Sequence, residues 1–154
     1  MIRRRPLLAT AAAFSILRRA EAQPRTRDVR VAMTQDALTL DPANHRSRDT
    51  ETIIRNIHDG LVTRDAAMKI VPEIAESWRS VDPKTYEFTI RPGIRFHSGD
   101  VLDAQDIAFT FNRLAQDNAM GGQTSPRKSL LGPLAETVAV DARTVRMNLA
   151  EPWP

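Results

Sequence analysis

Between residues 86 and 91 apolar and polar side chains alternate strictly, with Tyr86, Phe88 and Ile90 on one face and Glu87, Thr89 and Arg91 on the other. Successive side chains leave a strand on opposite sides, so this period of two is what a half-buried strand requires. Asp82-Pro83-Lys84-Thr85 precedes the run. Pro83 has its φ preset for the second position of a type I turn, and Asp82 can accept from the backbone two residues on. Beyond the strand, Pro92-Gly93 and Ser98-Gly99 break the ladder on either side of Ile94-Arg95-Phe96. Helix-start chemistry comes next, with Asp103 as N-cap, Asp106 three residues later, and Ile107, Phe111 and Leu114 at helical spacing. Residues 72–114 therefore read as a helix turn, a β-hairpin, a tight turn and a capped helix, whose apolar side has to lie on the sheet.

The rest of the chain can be read around that stretch. Val29, Val31 and Met33 alternate as a first strand, and residues 34–49 form a long irregular segment punctuated by Asp41-Pro42. A loop of that length is either functional or disordered. Residues 52–59 have helical character, with Ile53, Ile54 and Ile57 on one face and Gly60 as the stop. Residues 61–64 and 69–71 read as a hairpin around a turn at 65–68. Residues 118–129 read as a loop, 130–134 as a short helical turn, and 138–140 with 145–149 as a hairpin around Asp141-Ala142-Arg143. Trp78, Tyr86, Phe88, Phe109 and Phe111 are assigned to packing, and Asp106 and Arg113 to the structure of the helix ends. At 154 residues the chain is long enough for one domain with a real core.

The net charge of +3 raises the question of a nucleic-acid partner. Residues 1–22 hold Arg3, Arg4, Arg5, Arg18 and Arg19 against Glu21, which leaves 17 basic and 18 acidic residues in the remainder. The body thus has little electrostatic reason to bind polyanions, and no aromatic platform is interleaved with basic residues. The basic start, the apolar run over residues 7–17 and Ala20-Glu21-Ala22 fit a cleavable export signal, by the Sec route or, from Arg3-Arg4-Arg5, the Tat route. Eleven such residues are too few to anchor in a bilayer. With no cysteine in the chain there is neither a disulfide nor a lipidated cysteine, so the expectation is a freely soluble periplasmic protein.

Catalytic readings fare poorly. His45, His58 and His97 have no metal-ligand spacing, and no metal is assigned to them. His97-Ser98-Gly99-Asp100 are neighbours on a turn and cannot converge as a triad, and no Gly-x-Ser-x-Gly elbow is present. Gly121-Gly122 lack the Lys-Ser/Thr of a phosphate loop.

Three blocks of sequence nevertheless stand in a telling order. They are Val71-Pro72-Glu73-Ile74-Ala75-Glu76-Ser77-Trp78, then Thr85-Tyr86-Glu87-Phe88-Thr89-Ile90-Arg91-Pro92-Gly93-Ile94-Arg95-Phe96-His97-Ser98-Gly99, then Ala104-Gln105-Asp106-Ile107-Ala108-Phe109-Thr110-Phe111-Asn112-Arg113-Leu114. With Leu40-Asp41-Pro42 upstream and Gly60-Leu61-Val62 between, residues 29–154 closely resemble the family 5 extracellular solute-binding proteins, the receptors of ABC-type peptide importers. The resemblance implies a mixed α+β fold of periplasmic-binding-protein type II. Residues 1–22 would be the signal peptide, 23–49 the first strand and cleft loop of the large lobe, and 50–154 the small N-terminal domain, cut before the second lobe. It implies a monomer without enzyme activity, cofactor or nucleic-acid partner. That monomer captures a short peptide or related small solute and delivers it to a membrane permease. A stand-alone interaction module or truncated remnant is the other reading.

In the family, the segment after the Leu-Asp-Pro element contributes to the cleft wall, which here picks out Arg46, Ser47 and Arg48 as ligand-binding. Some peptide-binding relatives carry a carboxylate at the first of these positions, where it can meet a peptide's amino terminus. Arg46 has the opposite sign and would favour an anionic group through bidentate hydrogen bonding. Solvated loop arginines would read the same way in sequence.

Overall fold

The computed structural model describes residues 29–153, and the export signal read at residues 1–22 lies outside them. The described residues from Met33 onward make up one compact unit. Its centre is an antiparallel sheet of β3 (Ala75–Asp82), β4 (Thr85–Ile90), β6 (Thr144–Leu149) and β5 (Leu134–Ala139), in that spatial order. The β3–β4 hairpin turns at Pro83-Lys84, and Asp82 Oδ1 accepts from Lys84 N at 2.7 Å, as the sequence predicts. The second hairpin turns around Asp141, whose Oδ1 accepts from Arg143 N at 2.7 Å. A separate small hairpin, β1 (Val62–Arg64) with β2 (Ile70–Pro72), closes on Asp65, which accepts from Ala67 N and Lys69 N.

Helix α2 (Ala104–Ala115) lies across β5 and β6. Its start is fixed by a reciprocal cap: Asp103 Oδ1 accepts from Gln105 N and Asp106 N, and Asp106 Oδ2 accepts from Asp103 N at 3.0 Å. Three orphan amide donors at the helix start thereby find partners. Ile107 joins Leu61, Ala75, Ile90, Ala104 and Val145 in the buried core, with Phe88, Phe111 and Met147 packed against it. Asn112 performs a different task. Its Nδ2 donates to Thr137 O and its Oδ1 accepts from Thr137 N, both at 2.8 Å. A side-chain amide thus stands in for a neighbouring strand at the edge of β5.

The two faces of β4 differ from the simple alternation expected. Ile90 is fully buried, whereas Tyr86 and Phe88 are half-buried. Glu87, on the outer face, is also buried, because Arg146 and Arg79 close over it from the two flanking strands. Phe109 does not pack: it is 69 % exposed on the outer side of α2, and Trp78 on the edge strand is 39 % exposed.

Three further expectations are corrected. Residues 29–33 form no strand: Val29 and Val31 are exposed, and no ladder partner for them exists among the described residues, so the alternating pattern has no neighbouring backbone to pair with. No helix turn precedes β3, because Ile74 N donates to Gly60 O and Ala75 N to Leu61 O, which holds the chain extended. The helix expected over residues 52–59 is α1 (Arg48–Ile54), earlier and shorter. Ser47 starts it by accepting from Thr50 N, and i→i+3 bonds from Asn56 N and Ile57 N tighten its end before Gly60 is reached.

Candidate functional site

The long segment before α1 is ordered by three ties. Asp41 forms a bidentate ion pair with Arg113 of α2, while its Oδ1 also accepts from Ala43 N at 2.9 Å, a turn that uses the rigid Pro42 between them. Arg113, through its hydrogen bond, holds the Asp41 carboxyl below the usual aspartate range. Ser125 Oγ donates to Ala43 O at 2.6 Å, and Leu38 N donates to the hydroxyl of Thr50, which is wholly buried. The Leu-Asp-Pro element therefore fastens this segment to α2 and to the loop that follows it.

Held this way, Arg46, Ser47 and Arg48 all line one open groove of about 290 Å³. Arg46 and Arg48 are exposed, and Ser47 is the cap of α1. His45, Glu51, Arg127 and Leu130 complete the lining. Sequence reasoning missed these four. Glu51 is four residues past Ser47 and so lies one helical turn along the same face, a signal that was available. Arg127, some eighty residues distant, is brought in by the loop leading to the 3-10 turn Lys128–Leu131 and has no local signature.

The charges are ordered too. Arg127 Nη1 donates to Glu51 Oε2 at 2.5 Å and to His45 Nε2 at 3.1 Å, and Arg55 Nε donates to the other oxygen of Glu51 at 3.0 Å. The Arg127 hydrogen bond is the chief reason the Glu51 carboxyl sits below the usual range. His45 is 3 % exposed, and its Nδ1 has no partner. Arg46 Nη1 reaches Ser129 Oγ at 3.4 Å. A groove of this size holds an end group or one side chain rather than a whole peptide, so it can serve as one wall of a larger site. Among the described residues no three His, Cys, Asp or Glu side chains come together as a metal site.

Comparison with known proteins now places this architecture. The model of bacterial extracellular solute-binding proteins, family 5 Middle, matches residues 69–154. The periplasmic murein peptide-binding protein MppA of Escherichia coli K12 is 28 % identical over 129 residues, covering 75 % of this chain and 24 % of MppA. A structure of the E. coli murein tripeptide binding protein MppA aligns with a TM-score of 0.69 at 27 % identity, over 79 % of this chain and 26 % of that one. The glutathione-binding protein GsiB of E. coli K12 is 31 % identical over 128 residues, 82 % of this chain and 24 % of its own length. Haemophilus influenzae OppA, in complex with RPPGFSPFR, aligns with a TM-score of 0.68 at 26 % identity, over 77 % of this chain and 26 % of that one. The chain spans about a quarter of the length of these relatives. With more than half of its residues matched by the family model and its mixed α+β fold shared with these binding proteins, the chain belongs to the bacterial extracellular solute-binding proteins of family 5.

Proposed function

We propose that this chain contributes to a receptor that captures short peptides, or small solutes akin to them, and hands them to the permease of an ABC importer. The observation carrying this reading is the fold shared with MppA and OppA over more than three quarters of the chain, proteins whose names and bound ligand are peptidic. In this reading residues 1–22 direct export to the periplasm, residues 23–49 belong with the large lobe, and residues 50–154 form the smaller one. Arg46, Ser47 and Arg48 face the ligand. Capture works by closure: a ligand that touches both lobes only when they are shut shifts the population toward the shut form. The protein acts as a monomer, with no chemistry performed on the solute and no nucleic-acid partner.

Native mass spectrometry of the intact receptor, both lobes present, purified without denaturation from its own host, tests this. The expected result is an added small mass that is released on unfolding and identified as a peptide or peptide-like solute. A bare protein mass, together with no shift in melting temperature across a library of di- to pentapeptides, would sink it.

A further inference from the structure

Among the described residues the only carboxylate lining the groove, Glu51, is already engaged by Arg127 and Arg55. What the groove presents to an incoming molecule is therefore cationic: three arginines against one glutamate. Arg46 has one long contact with Ser129, and the Arg48 guanidinium meets no partner among the described residues.

Arg127 is the informative member. Both protons on its Nη1 are spent, one toward Glu51 and one toward His45 Nε2, an acceptor role that places the imidazole proton on Nδ1. Nε and Nη2 lie along the other edge of the planar group and have no partner among the described residues, while the side chain is 25 % exposed. His45 is buried behind it and Glu51 beside it, so the guanidinium is held by one nitrogen with a two-donor edge free. That edge matches the spacing of two carboxylate oxygens, and its orientation is settled before the ligand arrives.

We propose that this groove receives an anionic end group of the solute, a carboxylate above all, on the Nε–Nη2 edge of Arg127 with Arg46 and Arg48 alongside. The protein thus selects carboxylate-bearing solutes over their neutral amides. Arg127 is then the specificity-determining residue, and Glu51 and His45 position it. The inference rests on the solute-capture reading above and names the chemistry of its ligand.

Calorimetric titration of the intact receptor, both lobes present, with alanyl-alanine and with alanyl-alaninamide separates the possibilities. The acid is expected to bind about tenfold or more tighter than the amide, the ratio a charge-assisted bidentate contact supplies. R127Q should shrink that ratio to about twofold by weakening the acid alone, and R127K, which keeps the charge but not the fork, should fall between. R46Q/R48Q, at two exposed positions, should reduce the ratio in part. An amide that binds the wild type as well as the acid, a preference that survives R127Q, or a co-purified solute without an anionic group each overturns the inference and leaves solute capture standing. No binding of either probe, with no solute carried by the purified protein, brings down both.

Discussion

Glu87 sits on the polar face of its strand yet is one of the least accessible acids among the described residues. Its two oxygens are divided between Arg146 on one neighbouring strand and Arg79 on the other, a row of three charges across β3, β4 and β6. The alternation of Tyr86-Glu87-Phe88 placed the residue on the correct face. It could not reveal the burial, because the cations arrive from 8 and 59 positions away. Arg146 first, and Arg79 after it, hold the Glu87 carboxyl below the usual glutamate range. A carboxylate whose folded value is depressed adds stability that is complete above its unfolded value and fades as pH falls through the folded one. Melting temperatures of the wild type and E87Q, recorded between about pH 7 and pH 2, should therefore converge below about pH 4 and separate above it, with the wild type higher. Curves that stay parallel throughout would refute this role.

At the scale of elements, the signals that proved sufficient were local. Asp103 with Asp106 announced the start of α2, and Asp82-Pro83 announced the first hairpin, since a cap or tight turn is closed by residues two or three apart. Where an element depends on distant backbone, local pattern misled. Val29, Val31 and Met33 alternate like a strand but have nothing to pair with among the described residues, and α1 begins at the Ser47 cap rather than at its isoleucines. Asn112 belongs to the same class. Within the helix it reads as an unremarkable polar residue, yet it satisfies both backbone groups of Thr137, a residue only 3 % exposed. Replacing it with alanine leaves a buried donor and acceptor without partners, which costs about 2–3 kcal/mol. Urea denaturation should show N112A destabilised by that amount, and the Thr137 amide should exchange with solvent far faster than in the wild type. Unchanged exchange would mean that water, rather than Asn112, satisfies that edge.

For the molecule as a whole, the core is small and its centre is Ile90. Its side chain is 1 % exposed, its N–H donates to Arg143 O, and its carbonyl accepts from Arg143 Nε, so the two hairpins and α2 meet there. I90A should lower the stability of the fold by about 3 kcal/mol, seen as a lower denaturation midpoint with an unchanged slope. A loss of under about 1 kcal/mol would place the centre of the core elsewhere. Of the groove, the resemblance to the family picks out the contiguous Arg46, Ser47 and Arg48, through the cleft-wall segment that follows its Leu-Asp-Pro element. It was silent on Arg127, because only the tertiary fold brings that loop beside α1.

Ser47, already committed to starting α1, has an exposed arginine on either side. Neither neighbour's side chain makes that cap, so acids, aromatics or amides at these two positions should leave unchanged where the chain begins to wind. On the proposed reading of the groove, an engineer seeking a sensor for a different cargo would randomise these two positions together with Arg127 and leave the serine untouched.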